Sequence, residues 1–236
     1  MQAVILAAGM GRRLDLISGG LPKPMLNITG KSIIHSQIES CQQYGVEQFV
    51  IVIGYRMEEM KAHILEILSS ERVIFVINPD YATTNTLYSL YLAREYLNQD
   101  TLYFNGDVLF ERGLLPKLLS YSGSSILVEK KSCGEEEVKV NINESGYVTA
   151  IGKELCLDEC VGEFIGIACF RKDVLVKLKK FLEMGIKAAQ HNNYFEYAVN
   201  QFCDGIEIMA VSTGDACCIE IDFPEDIVRA KTLFNK

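Results

Sequence analysis

Residues 3–14 read Ala-Val-Ile-Leu-Ala-Ala-Gly-Met-Gly-Arg-Arg-Leu, and residues 22–26 read Pro-Lys-Pro-Met-Leu. The run 3–8 is strand-length and shows no polar alternation, the pattern of a strand covered on both faces in a parallel sheet. It ends in a glycine-rich turn. Gly9 and Gly11 carry no side chain, so backbone N–H groups there can approach an anion. Arg12 and Arg13 follow at once, and Lys23 comes shortly after, between Pro22 and Pro24. The two prolines restrict the backbone on either side of Lys23, so its cation is aimed. A buried strand, a glycine turn, two arginines and a braced lysine together point to a phosphate site.

Two common phosphate motifs are excluded. A dinucleotide fingerprint needs a third glycine three positions after Gly11, where this chain has Leu14, and a Walker loop needs a Gly-Lys-Ser/Thr that does not follow. Outward from the loop, strand-like and helix-like segments alternate, as in an α/β sheet. Segments 49–53, 73–77 and 102–105 read as further strands, and 31–44, 57–68 and 87–97 as helices. Ile33, Ile34, Ile38 and Cys41 fall on one face of the first helix, and Gly45 stops it. Asn85 or Thr86 caps the third.

After Asp107 the segments shorten. Strands are expected at 125–129, 138–142 and 148–152, the last two as a hairpin through Asn143-Glu144-Ser145-Gly146. Further strands are expected at 164–170, 207–212 and 217–221, and helices at 172–182, 194–202 and 224–234, the last with Pro224 in its first turn. No repeat or low-complexity linker interrupts the chain. The expectation is a single α/β domain over 1–236. Residues 1–107 and 211–236 are expected to form its core, and 108–210 an added β-rich lid.

Of the 236 residues, 49% are hydrophobic and 23% charged, which is globular composition. The 23 Lys+Arg and 31 Asp+Glu leave a net charge of −8. Such acidity argues against nucleic acid as a partner, because that binding is dominated by phosphate neutralisation. No apolar run approaches the ~18–20 residues needed to span a bilayer. The N-terminus enters a strand with no basic region or cleavage site, so no signal peptide is expected. The eight cysteines form no C-x-x-C pair, and His35, His63 and His191 are scattered. That pattern argues against zinc and for reduced thiols in a cytoplasmic protein.

The candidate chemistry lies at strand ends. Asp107 follows Asn105-Gly106, and Asp222 follows Ile219-Glu220-Ile221. Ligands of open parallel sheets bind beyond the carboxyl ends of the strands, and two carboxylates there suit Mg²⁺, which takes oxygen ligands. The plain alternatives are a solvated turn for Asp107 and a helix N-cap for Asp222. Glu220 is expected to face away from its neighbours by strand alternation. Asn85 and Ser89 are one helical turn apart. With Tyr81 and Tyr88 they suit a pyrimidine edge or the acceptor, against a cap and an ordinary surface. Lys139 and Lys153, on adjacent hairpin strands, suit an acceptor phosphate. Glu163 and Glu196, with Tyr194 beside the latter, suit an acceptor amine. For all of these the alternative is a solvated face.

The glycine loop with Pro22-Lys23-Pro24 resembles the signature of sugar-phosphate and alcohol-phosphate nucleotidyltransferases. Residues 78–97, NPDYATTNTLYSLYLAREYL, are similar to the small-alcohol branch, the phosphocholine and 2-aminoethylphosphonate cytidylyltransferases. Asn105-Gly106-Asp107 resembles that branch's strand-end metal aspartate, and 219–226 its second metal aspartate and closing helix. The resemblance covers nearly the whole chain and is weakest in the lid. It implies a Rossmann-like, mostly parallel-sheet nucleotidyltransferase core with a small β-rich acceptor lid, Mg²⁺ as cofactor, and CTP with a small phosphate or phosphonate as substrates.

With the residue reading, it implies a nucleotide cradle of Leu6, Ala7, Ala8, Gly9, Met10, Gly11, Arg12, Tyr81, Asn85, Ser89 and Gly106. Arg13, Lys23, Asp107 and Asp222 are then the catalytic set, the two aspartates being the metal ligands. An acceptor phosphate has a second pKa of about 6, so it attacks as an anion and needs no general base. The chain has no Trp, and 132–140 is acidic without an aromatic, which favours a primary amine over a quaternary ammonium. Two competing classes remain open: a sugar-1-phosphate enzyme using UTP or dTTP, and a non-catalytic nucleotide-binding subunit. The latter should lack Lys23 or a metal carboxylate, and all three residues are present. The oligomeric state stays open, a homodimer included.

Overall fold

A computed structural model describes residues 1–14 and 19–234. Strand β1 (Gln2–Ala7) is buried along its whole length. Val4 and Leu6 enter the apolar layer on one side of the sheet, and Ala3, Ile5 and Ala7 the layer on the other. Two-sided burial is why the run shows no polar alternation. β1 pairs in parallel with β2 (Gln48–Ile53) and β4 (Thr101–Asn105), and β2 with β3 (Val73–Ile77). The crossovers carry helices α1 (Ile33–Gln43), α2 (Met57–Leu65) and α3 (Thr86–Ala93). α1 begins at Ser32, whose Oγ accepts the His35 N–H at 3.2 Å. An N-cap of this kind contributes ~1 kcal/mol.

The chain continues through β5 (Val108–Phe110), α4 (Leu114–Leu119), β6 (Ser124–Glu129), β7 (Lys139–Ile142), β8 (Val148–Gly152) and β9 (Gly162–Phe170). Then come α5 (Lys172–Lys187), α6 (Glu196–Asn200), β10 (Ile208–Ser212), β11 (Cys218–Glu220) and α7 (Pro224–Phe234). The central sheet runs β10-β6-β9-β4-β1-β2-β3. β9 is antiparallel to both β4 and β6, and β10 is parallel to β6. Residues 108–210 therefore contribute strands to the central sheet itself. The β7–β8 hairpin branches from the start of β9.

The fold is the expected mostly parallel α/β sheet with an added antiparallel part, and most elements match their expected limits within a few residues. β5 and α4 were not expected: three residues give no periodicity, and α4 is short and contains Pro116. α5 runs on to Lys187 because Gly185 does not break it. Gly185 is buried, with Leu87 of α3 in the space its side chain would take, so the two helices approach closely. The helix expected over 194–202 is the shorter α6.

β5 and β11 form an antiparallel ribbon in which Glu220 lies opposite Val108 and Ile219 opposite Leu109. Leu109, Ile219 and Ile221 pack with Leu14, Leu26, Ile28, Ile33 and Ala230 in a third apolar cluster. Burying one such side chain contributes ~1.5–3 kcal/mol. This cluster fastens the residues flanking the glycine loop, the ribbon and α7 into one support. Among the described residues no helix is long and apolar enough to cross a membrane.

Candidate active site

The ribbon brings together what the sequence keeps far apart. The Ile221 N–H donates to the Asp107 carbonyl at 3.0 Å, locking the turn after β4 to the end of β11. Carboxylate oxygens of Asp107, Glu220 and Asp222 then lie within 4.8 Å of one another. Glu220 is an addition to the two expected aspartates, and it faces away from its strand neighbours as expected. Alternation turns it away from Ile219 and Ile221, but that puts it on the same side as Asp222, two residues on. The Asp222 carboxylate is engaged by Lys23, while Asp226, in the first turn of α7, reaches back to accept the N–H groups of Asp222 and Phe223 at 3.0 and 2.7 Å. The Asp222 carboxylate is left facing the site.

Lys23 enters this cluster from the signature loop. Its ammonium donates to Asp222, and to Asp107 Oδ2 at 3.4 Å. Arg13 reaches Asp222 Oδ2 at 3.4 Å and stacks over Phe223 at 4.9 Å. Burial lowers the Lys23 pKa, but Asp107, Asp222 and then Glu220 outweigh it and leave the ammonium above the ordinary lysine value. Burial raises the Asp107 carboxyl, opposed by Lys23 and reinforced by Asp222. Glu220 is an exposed residue, but desolvation of its carboxyl among its neighbours, then Asp107 and Asp222, push it well above the usual carboxylate range. Three oxygen donors converging on one point, with their charge only partly neutralised, fit a hard divalent cation.

Two glycines are required by close approach. Gly11 has φ +64°, and the Lys23 stem passes 2.6 Å from where its Cβ would stand. Gly106 lies so close to β1 that a Cβ would meet the Leu6 carbonyl at 2.6 Å. Gly9 has open space above it, Met10 is half-buried, Arg12 is exposed, and Leu6, Ala7 and Ala8 are buried in β1 and its end. Gln37, fully buried on α1, donates its amide to the carbonyls of Asn105 and Val108 at 2.9 and 2.8 Å. It clamps the turn that carries Asp107. Its signal in the sequence is one glutamine inside the apolar stripe of Ile33, Ile34 and Cys41.

Beyond the loop, Tyr81 packs against Gly54 and stands 6.1 Å from the Tyr55 ring. Asn85 caps α3, its Oδ1 accepting the Thr86 N–H at 2.9 Å. Ser89 does not share an open face with Asn85, as the spacing had suggested. It is buried and accepts from Asn78 Nδ2 at 3.1 Å. Asn78 also reaches Thr84 Oγ1 and accepts the Asp80 N–H, an Asx turn that shapes the segment before α3. The pair Asn78-Pro79 was its sequence signal.

The expected acceptor residues divide into three groups. Lys139 is no phosphate grip. It is 1% exposed, and its ammonium is spent on the carbonyls of Glu135, Glu137 and Lys153. An aliphatic stem long enough to reach buried carbonyls explains why it turns inward. Glu163 pairs with Lys131 at 2.5 Å, on the face of β9 opposite Phe164. Phe164 packs on Phe195, the neighbour of Glu196, so Glu163 and Glu196 are separated by the sheet and do not share one amine.

Lys153, Tyr194 and Glu196 do come together. The Lys153 ammonium is 3.4 Å from the Tyr194 hydroxyl and 4.6 Å above its ring. Glu196 is 3% exposed, and its Oε2 has no hydrogen-bond partner. Burial pushes its pKa up to about 7, opposed by its own backbone hydrogen bond and by Lys153. Tyr103, fully buried, donates to Asn105 Oδ1 at 2.6 Å, and its phenol is raised by burial and by both Glu196 and Asp107. Tyr103 and Asn105 thus connect the Glu196 group with the carboxylate cluster.

A glycine turn, a braced lysine and converging carboxylates at the carboxyl ends of a parallel sheet define a nucleotide-handling α/β domain. The match of residues 3–189 to the MobA-like NTP transferase domain shows that the chain belongs to that family. It is 34% identical over 131 residues to a CMP-5'-(3-aminopropyl)phosphonate synthase of Streptomyces rubellomurinus, covering 56% of this chain and 21% of that protein. It is 27% identical over 201 residues to a CTP:phosphoglutamine cytidylyltransferase of Campylobacter jejuni, covering 78% of each. The chain thus spans about a fifth of the first relative and most of the second. The solved CTP:phosphocholine cytidylyltransferase of Streptococcus pneumoniae superposes with a TM-score of 0.81 at 22% identity, over 98% of this chain and 97% of that one, a likeness of fold.

Proposed function

We propose that this chain is a Mg²⁺-dependent cytidylyltransferase that joins CTP to a small phosphate or phosphonate carrying an amine and releases pyrophosphate. The observation that carries this is Lys23 held over Asp107, Glu220 and Asp222 beside an open glycine turn. The names of two relatives support both halves, since each pairs a cytidine nucleotide with a nitrogen-bearing acceptor. The acceptor oxygen attacks the α-phosphorus, the new P–O bond forms, and the bond to pyrophosphate breaks in line. The protein supplies position and charge.

In this reading the nucleotide lies along Leu6 to Arg12, with Tyr81 and Asn85 at its edge and Gly106 below. Ser89 acts through Asn78. Arg13 meets the triphosphate, and Lys23 the α-phosphate and the incoming acceptor oxygen. Asp107, Glu220 and Asp222 would hold the divalent cation, which when bound neutralises phosphate charge. Residues 108–210 form the acceptor region. In it Glu196 faces the acceptor amine and Lys153, with Tyr194, its phosphate side. A buried carboxylate oxygen with no partner is costly, and an ammonium satisfies it with a charge-assisted hydrogen bond.

The test is pyrophosphate release with CTP, UTP, dTTP and ATP against 2-aminoethylphosphonate, phosphocholine and hexose 1-phosphates. Turnover with CTP and the amine is the expected outcome. Preference for a hexose 1-phosphate with UTP or dTTP refutes the acceptor assignment. A preference for phosphocholine by tenfold, about 1.4 kcal/mol, refutes the primary amine and returns the recognition to Tyr and Phe.

A further inference from the structure

The cations of the signature loop and the carboxylates of the ribbon neutralise each other. Lys23 is bonded to Asp222 and Asp107, and Arg13 to Asp222. These same side chains are the ones a triphosphate requires, and the same carboxylates are the ones a divalent cation requires. The Lys23 side chain is only 14% exposed, and its stem is confined over Gly11. Its ammonium therefore sits between Asp107 and Asp222, against two of the three carboxylates of the cluster. A divalent cation cannot share that point with it, because the two positive charges repel at contact distance.

We infer that Lys23 is the resident counter-ion of the carboxylate cluster, and that metal and nucleotide bind by exchanging partners with it. The metal takes Asp107, Glu220 and Asp222; the phosphates take Lys23, with Arg13. The inference rests on the metal assignment above and adds to it a linkage. Each ligand frees what the other needs, so metal and nucleotide strengthen each other's binding, and by reciprocity each does so by the same factor. It also gives Lys23 a role opposing the metal beside its role on the phosphates. Removing the catalytic lysine should tighten metal binding.

The experiment measures Mn²⁺ binding to the protein by the electron paramagnetic resonance of the free ion, without nucleotide and with the unreactive α,β-methylene analogue of CTP. Wild type is expected to bind Mn²⁺ weakly alone and at least tenfold more tightly with the analogue. Lys23→Met keeps the stem over Gly11 and removes the charge. It is expected to bind Mn²⁺ at least tenfold more tightly than wild type without nucleotide, and to lose most of the enhancement by the analogue. Lys23→Gln provides the same comparison should the methionine variant be unstable. Equal or weaker Mn²⁺ affinity in both variants, with wild type still showing nucleotide-enhanced binding, overturns the exchange and leaves the metal site standing. Absence of Mn²⁺ binding by wild type in either condition, or binding unaltered by Asp107→Asn, overturns the metal assignment and the exchange with it.

Discussion

Glu196→Gln tests the acceptor side most directly, because it changes stability and recognition in opposite directions. The carboxyl is 3% exposed with one oxygen unpartnered, and burial raises its pKa from 4.5 to about 7. Below pH 4 the folded and unfolded chains both carry the proton, and the group is neutral in the balance. Between about 4.5 and 7 the unfolded chain has released it and the folded chain has not. The folded state then binds more protons, so stability falls as pH rises. Above 7 the loss is complete, at about 3 kcal/mol. Urea denaturation of wild type and Glu196→Gln at pH 5, 6, 7 and 8 should show the variant gaining about 2–3 kcal/mol on wild type across that range. Parallel stability curves would refute the assigned burial. In activity the order reverses. An ammonium beside Glu196 favours its ionised form, so the wild-type KM for 2-aminoethylphosphonate should fall from pH 6 to 8 relative to Glu196→Gln. The KM for CTP should be the same in both. An acceptor KM ratio independent of pH would refute contact between Glu196 and the amine.

Asp107→Asn and Asp222→Asn should each lower kcat by about 10²–10³, or ~2.7–4 kcal/mol, at saturating Mg²⁺ with the melting temperature near wild type; steady-state rates and thermal melts check this. Gln37→Met leaves the carbonyls of Asn105 and Val108 without their donor, at ~1–3 kcal/mol each. Because Gln37 positions the Asp107 turn, the variant should also need more Mg²⁺ for half-maximal rate, a change that lost stability alone would not produce. Lys139→Met should lower stability, seen in urea melts, and leave the acceptor KM unchanged in the folded fraction. Lys153→Met should do the reverse, raising the acceptor KM severalfold.

What the sequence made legible followed from local rules. The 3–8 run, the glycine turn and Lys23 between two prolines were all recognisable because their chemistry is contiguous. The helix over Pro224–Phe234 was recognisable because proline marks its first turn. The carboxylate cluster was only half legible. Asp107 and Asp222 each end an apolar run, but the contact between them depends on β5, a three-residue strand too short to show a period. Without β5 there is no ribbon, and without the ribbon nothing indicates that the end of β11 lies against Asp107. Alternation was available and pointed the right way. Residues two apart on a strand share a face, which pairs Glu220 with Asp222.

The acceptor side resisted for a different reason. Lys139 and Lys153 are equivalent candidates for a phosphate in one dimension, and Glu163 and Glu196 for an amine. Their separation depends on which way each side chain leaves the sheet and on what lies opposite. Lys139 finds three carbonyls and is consumed by the fold. Glu163 finds Lys131 and is paired. Glu196 is left buried with one oxygen unpartnered, its charge offset only by its backbone hydrogen bond and by Lys153. That inequality among like residues is the strongest indication of where an outside charge belongs. It arises from three-dimensional satisfaction of hydrogen bonds, a quantity that no spacing rule along the chain contains.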